Sequence, residues 1–194
     1  MSQRQQEIAG KPPRLPFVEQ VPDDIVALVT PPPGYENKQS EGPGIYHLML
    51  HNPELVRRYH PICSFFISVG MLEPRDRELA IMRTGWLRQV PFIWGEHVKY
   101  GRRIGMSDAE IEAVTEGSAA AIWNDRDRAI LRGAEEMVAN GMVSDEVWES
   151  LASFLDSGQL VELVAAVGQY QALGLLQNVL RVPLWRDNPG LSSR

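Results

Sequence analysis

The sequence predicts an all-α protein of about seven or eight helices. Three observations predict it. From Pro43 onward, proline, glycine and capping residues punctuate the chain at helical intervals, and apolar residues between them recur at three- and four-residue steps. No stretch alternates apolar and polar residues as a half-buried strand would. At 194 residues the chain has the length of one domain and can bury an apolar core without disulfides or a structural metal.

Residues 1–43 hold Pro12, Pro13, Pro16, Pro22, Pro31, Pro32, Pro33 and Pro43, too many for one regular helix, and read as a proline-rich N-terminal arm ahead of a helical domain over 44–194. Leu15, Phe17, Val18, Val21, Ile25, Val26 and Leu28 give the arm apolar side chains to pack on its own domain or on a neighbouring subunit. Pro32-Pro33-Gly34-Tyr35 fits a short PPxY-type ligand pattern and equally a structural turn, which is the reading adopted.

The helices follow in order. Asn52-Pro53-Glu54 supplies an N-cap, a first-position proline and an acidic first turn before Ile62, Phe65, Phe66 and Val69, and Gly70 closes the stretch. Pro74 opens a helix with Leu79, Met82 and Trp86 on one side, ending before Pro91, where the next begins and runs toward Gly105. Ser107-Asp108-Ala109-Glu110 is a capping box. Asn124 or Asp125 caps a helix carrying Ile130, Leu131 and Met137, Gly141 ends it, and Ser144 caps one carrying Val147, Trp148 and Leu151. The last long segment, Gln159 to Val182, is apolar on nearly every side, which predicts burial all round in a domain centre or at a subunit interface.

Composition removes several function classes. A formal net charge of -6 and a pI near 5.3 oppose nucleic-acid binding, while a few local arginines can still hold a small anion. Cys63 is the only cysteine, so no intrachain disulfide, two-thiol redox pair or thiolate zinc cage can form. Among Ile62, Phe65 and Phe66 it reads as inert core, the weaker reading being a redox thiol served by an external partner. His47, His51 and His60 offer only one pair at metal-compatible helical spacing, and no metal site is expected. The polar start and the lack of a long apolar run lead to the expectation of no membrane partner and a cytoplasmic protein.

Two consecutive helices carry the unusual side chains. Glu78 shares a face with Ile81, Met82 and Gly85, and His97 shares a stripe with Ile93, Trp94, Gly101 and Ile104, whereas Glu96 points to another side. A desolvated carboxylate has its pKa raised and an imidazole titrates near neutrality, so two packed helices that bring them together could take up and return a substrate proton. The alternative reading makes Glu78 an ion-paired residue and His97 a core histidine bonded to a backbone carbonyl.

The stretch Leu72-Glu73-Pro74-Arg75-Asp76-Arg77-Glu78-Leu79-Ala80-Ile81-Met82-Arg83, then Val90-Pro91-Phe92-Ile93-Trp94-Gly95-Glu96-His97-Val98, then Gly105-Met106-Ser107, resembles the core of the carboxymuconolactone decarboxylase family. The resemblance covers roughly residues 60–120, and 125–182 is similar to the C-terminal half of longer members. It implies an alkyl hydroperoxidase D-like helical fold and assembly as trimers, hexamers or similar rings. Alkyl hydroperoxidase D itself has a glutamate, a C-x-x-C pair and a histidine on these two helices. Carried over, the glutamate falls on Glu78 and the histidine on His97, but the cysteine positions hold Val90 and Ile93. Neither residue can act as a peroxidatic or resolving thiol, which opposes thiol peroxidase activity.

The resemblance implies a cofactor-independent lyase or isomerase acting on a small unsaturated lactone or related carboxylated substrate. His97 would be the acid or base, Glu78 its orienter or proton partner, Arg83 an anion contact, and Trp94 and Tyr100 pocket walls, with Arg83 as an ordinary ion pair and Trp94 as core the competing readings. A homo-oligomer is expected, and a non-enzymatic helical scaffold or partner-binding protein of the same fold is the alternative function.

Overall fold

The computed structural model describes residues 3–8, 10–29, 44–184 and 187–193, so Pro31, Pro32, Pro33, Tyr35 and Pro43 of the arm lie outside the described residues. In chain order the helices are α1 (Gln3–Ile8), α2 (Asp23–Val29), α3 (Ile45–Met49), α4 (Pro53–Ser68), α5 (Pro74–Leu87), α6 (Pro91–Arg103), α7 (Asp108–Glu116), α8 (Asp125–Asn140), α9 (Asp145–Ala152) and α10 (Ser157–Leu180), with a 3-10 turn at Gly190–Ser192. No strand occurs among the described residues, and the protein is all-α.

The seven helices from α4 onward start where local chemistry places them. Prolines occupy the first position of α4, α5 and α6, where the missing N–H has no intrahelical partner to lose. Asn52 Oδ1 accepts from Leu55 N at 3.1 Å and Asn124 Oδ1 from Asp127 N at 2.8 Å. Ser107 and Glu110 close a reciprocal capping box, as do Asp156 and Gln159. Each such cap is worth about 1 kcal/mol. The three short helices α1 to α3 carry weaker signals and account for the excess over seven or eight.

The core is arranged differently from the hydropathy pattern. The helix enclosed on all sides is α5, which packs on α6, α7, α8 and α10 and buries nine residues in a row apart from Arg77, from Asp76 to Gly85. Its charges survive burial because each has a partner. Arg126 Nη2 lies 2.7 Å from Asp76 Oδ2, and Arg83 Nε lies 2.8 Å from Glu135 Oε1. Within the single chain α10 is buried on one side only. One face packs inward through Leu160, Leu163, Val167 and Tyr170, while Val161, Val164, Leu175 and Val179 are exposed in the single chain.

The described part of the arm packs on its own domain. Ile25 is fully buried in a second apolar cluster with Leu48, Val56 and Val182, and Phe17, Val18 and Val21 pack against it. No described helix is long and apolar enough to cross a membrane.

Candidate active site

The site is built where α5 meets α6. The two helices approach closely because Gly85 has no side chain, since a Cβ there would lie 2.8 Å from Ile93 Cγ2. At this separation the inward faces of both helices share one space. His97 Nδ1 lies 2.6 Å from Glu78 Oε2, and Arg77 Nε donates to the other carboxylate oxygen, Oε1, at 3.2 Å. Glu78 and His97 are 2% and 5% exposed. Nε2 of His97 has no hydrogen-bond partner among the described residues.

The electrostatics fix how this pair holds its proton. Burial pushes the Glu78 carboxyl up, but the charge and hydrogen bond of His97, and then those of Arg77, together hold it below the usual carboxylate range. This reverses the raised pKa expected for a desolvated carboxylate, because the sequence could not show two donors converging on it. An ionised Glu78 can only accept, so Nδ1 must carry a proton and, in the neutral ring, Nε2 is the lone-pair nitrogen.

Two tyrosines complete the surroundings. The Tyr100 ring lies 5.5 Å from the imidazole, with the Arg103 guanidinium 5.2 Å from the tyrosine centroid. The Tyr170 ring, from α10, meets the imidazole edge-on at 5.1 Å. Burial, then the charge of Glu78, pushes the Tyr170 phenol well above its ordinary range and keeps it neutral. Val90 and Ile93, at the positions of the cysteine pair, are buried with Ile81 and Tyr170 in a small apolar cluster.

Two expected contacts are not brought to the pair. Arg83 donates to Glu135 and, through Nη1, to the carbonyl oxygens of Val114 at 2.9 Å and Thr115 at 2.8 Å, so its guanidinium caps the C-terminal end of α7. Trp94 is fully buried in the main core, its ring 4.9 Å from Trp86, and its indole Nε1 donates to Ser193 O at 3.1 Å. Both fill structural roles because their helix faces turn toward α7, α8 and the C-terminal turn. Arg77 and Tyr170 touch the pair and are not singled out by the sequence. Arg77 neighbours Glu78 in the chain, where i,i+1 side chains do not normally face each other. Tyr170 lies in a helix whose apolar residues mask which face turns inward.

Cys63 stands apart from the pair's hydrogen bonds. Burial pushes its thiol up to about 11, despite the Gln169 amide donating to its sulfur at 3.0 Å.

Residues 53–136 match the sequence model of the carboxymuconolactone decarboxylase family. The match spans 84 of the 194 residues. It contains both Glu78 and His97. Among solved structures, the chain is similar to an uncharacterized peroxidase-related protein with an alkylhydroperoxidase AhpD core from Ralstonia eutropha JMP134, at 18% identity over 92% of this chain and 95% of that one, with a TM-score of 0.73. A protein of unknown function from Agrobacterium tumefaciens, labelled an AhpD antioxidant defence protein, matches at 19% identity over 73% and 98%, with a TM-score of 0.65. A cysteine-to-alanine variant of the debrominase Bmp8, in complex with 2,3,4-tribromopyrrole, matches at 13% identity over 91% and 96%, with a TM-score of 0.73. At these identities the structures share a fold with this chain, and the likeness shows the fold alone. No curated protein sequence matches the chain.

Proposed function

We propose that this chain is a cofactor-independent acid–base enzyme, a lyase or isomerase, in which Nε2 of His97 transfers the proton and Glu78 orients the ring. The observation that carries the reading is the 2.6 Å contact between Glu78 Oε2 and His97 Nδ1, with no partner for Nε2 among the described residues. A carboxylate behind an imidazole fixes its tautomer and stabilises the imidazolium form. The neutral ring is then a base at Nε2, and the protonated ring an acid at the same atom.

The substrate class that fits is a small unsaturated lactone or related carboxylated compound. As the bond to the carboxylate breaks, the conjugated acceptor of the substrate takes the electron pair, carbon dioxide leaves, and Nε2–H returns a proton to carbon. Isomerisation uses the same atom, first to remove a proton and then to replace it. Tyr100 and Arg77, the neighbours of the pair, are the residues proposed to contact such a substrate. We also propose that copies of the chain assemble as a trimer or hexamer through the exposed apolar residues of α4 and α10, among them Ile62, Phe65, Val161 and Val164.

Burial favours one second reading. Glu78 and His97 are almost sealed and line neither the cleft beside Arg88 and Arg181 nor the one beside Lys99 and Asp187, as in a helical scaffold where the pair is an internal contact. Incubating the chain with a panel of unsaturated lactone acids in deuterated water, followed by proton NMR, separates the two. Acid–base catalysis predicts deuterium incorporation or loss of the carboxylate, reduced about 10²- to 10⁴-fold by His97→Gln. Turnover unaffected by His97→Gln sinks the assignment, and silence across the panel favours the scaffold.

A further inference from the structure

A cleft of about 550 Å3 opens between the arm and the C-terminal ends of α5 and α10, a volume typical of small-molecule sites. Its lining brings together Arg4, Lys11, Arg14, Arg88 and Arg181 with one carboxylate, Glu7. Helix C-termini attract cations, and each carries about half a negative charge. Arg88 and Arg181 would answer that demand by themselves. The three cations from the arm exceed it, and about three positive charges remain unbalanced in a chain whose net charge is -6. Arg4 pairs with Glu7 at 3.4 Å, while Lys11, Arg14, Arg88 and Arg181 form no ion pair among the described residues.

The cleft is held in shape by buried contacts. The side chain of Gln5, 5% exposed, donates to Pro189 O at 2.9 Å and accepts from Leu191 N at 2.8 Å, which fixes α1 against the C-terminal turn. Arg14 N donates to Leu180 O, and Asn178 Nδ2 donates to Gln89 O at 3.2 Å, tying the ends of α10 and α5 together. The two non-glycine residues with positive φ among those described, Gln89 at 52° and Arg181 at 55°, both line this cleft. Glycine is favoured at such a left-handed position, so keeping an arginine there trades backbone comfort for a guanidinium at the rim.

The floor of the cleft is also a wall of the apolar cluster beside His97. Gly174 lines the cleft, and a Cβ on it would lie 2.6 Å from Val90 Cγ2. Val90 packs with Tyr170, whose ring meets His97. We propose that this cleft binds a multivalent small anion, a polycarboxylate or a phosphate compound, gripped by Arg88 and Arg181 with Lys11 and Arg14 of the arm. The site is separate from the Glu78–His97 pair, and its occupancy does not depend on the reaction proposed there.

Calorimetric titration of the full chain at constant ionic strength tests this with citrate, pyrophosphate and acetate as probes. Saturable one-to-one binding of citrate or pyrophosphate is expected, with acetate at least about ten-fold weaker. Citrate alone identifies a polycarboxylate site, and pyrophosphate alone a phosphate site. Arg181→Gly removes a guanidinium while relieving the left-handed backbone, so it should weaken binding about ten-fold with an unchanged or higher thermal midpoint. Arg88→Gln should weaken it similarly, and Lys11→Gln serves if that variant fails to fold. Binding by neither multivalent probe, equal affinity for acetate, or affinity unchanged in Arg181→Gly and Lys11→Gln would overturn the proposal.

Discussion

Replacing Glu78 by Gln keeps the shape of the side chain and removes one of its two acceptor oxygens. In the native site Oε2 accepts from His97 Nδ1 and Oε1 from Arg77 Nε. An amide can satisfy only one of these and turns its NH2 toward the other donor, leaving two buried N–H groups opposed. A lost hydrogen bond to a charged group costs about 1.5–3 kcal/mol, and breaking a buried pair about 3–5 kcal/mol, so a loss of about 3 kcal/mol is expected. For a chain of this size that lowers the thermal midpoint by roughly 6–12 °C. The pH dependence carries the sign. Because the folded carboxyl is held below its ordinary value of 4.5, its contribution is present above that value and is lost as pH falls through the lower folded one. Urea unfolding of both proteins should therefore give a constant gap down to about pH 5.5 that narrows below about pH 4 as the native carboxylate becomes a neutral acid like the amide. A gap under about 1 kcal/mol, or one that widens on acidification, would refute the reasoning.

Arg83→Lys should lower stability by about 2–3 kcal/mol in thermal unfolding, because an ammonium cannot span Glu135 and the α7 carbonyls at once; an unchanged midpoint would return Arg83 to the list of substrate contacts. Cys63, with its thiol at about 11 against an ordinary 9.0, should react with a maleimide about 100-fold more slowly in the folded chain than in urea. Rapid labelling of the folded chain, or peroxide consumption lost in Cys63→Ser, would revive a redox role. Val161→Lys with Val164→Lys should convert the proposed assembly to a monomer in light scattering, since both side chains are exposed and apolar in the single chain; an assembly of unchanged mass would place the interface elsewhere.

The sequence was most legible where local chemistry decides the structure. Asn52, Ser107, Asn124 and Ser144 cap the helices they were expected to cap, because a cap depends on residues only a few positions apart. The stripe that turned His97 inward was equally readable from spacing. Long-range pairing was not. Hydropathy marks α10 for burial in the domain centre or at a subunit interface, and it is α5, with Asp76, Glu78 and Arg83, that occupies the centre. Its partners Arg126, His97 and Glu135 come from distant segments, and no local pattern predicts that they neutralise it. The same limit hid Tyr170, set beside His97 by helix packing, and left Arg83 and Trp94 open between a pocket and the structural roles that α7 and the C-terminal turn give them.

The central claim is that Glu78 holds His97 with its proton on Nδ1, leaving Nε2 for substrate. Long-range proton–nitrogen correlation NMR of the chain with 15N-labelled histidine measures this directly. For the neutral ring of His97, the account predicts a protonated, strongly deshielded Nδ1–H and a pyridine-like Nε2, with the deshielding lost in Glu78→Gln. A neutral ring protonated at Nε2 would contradict it.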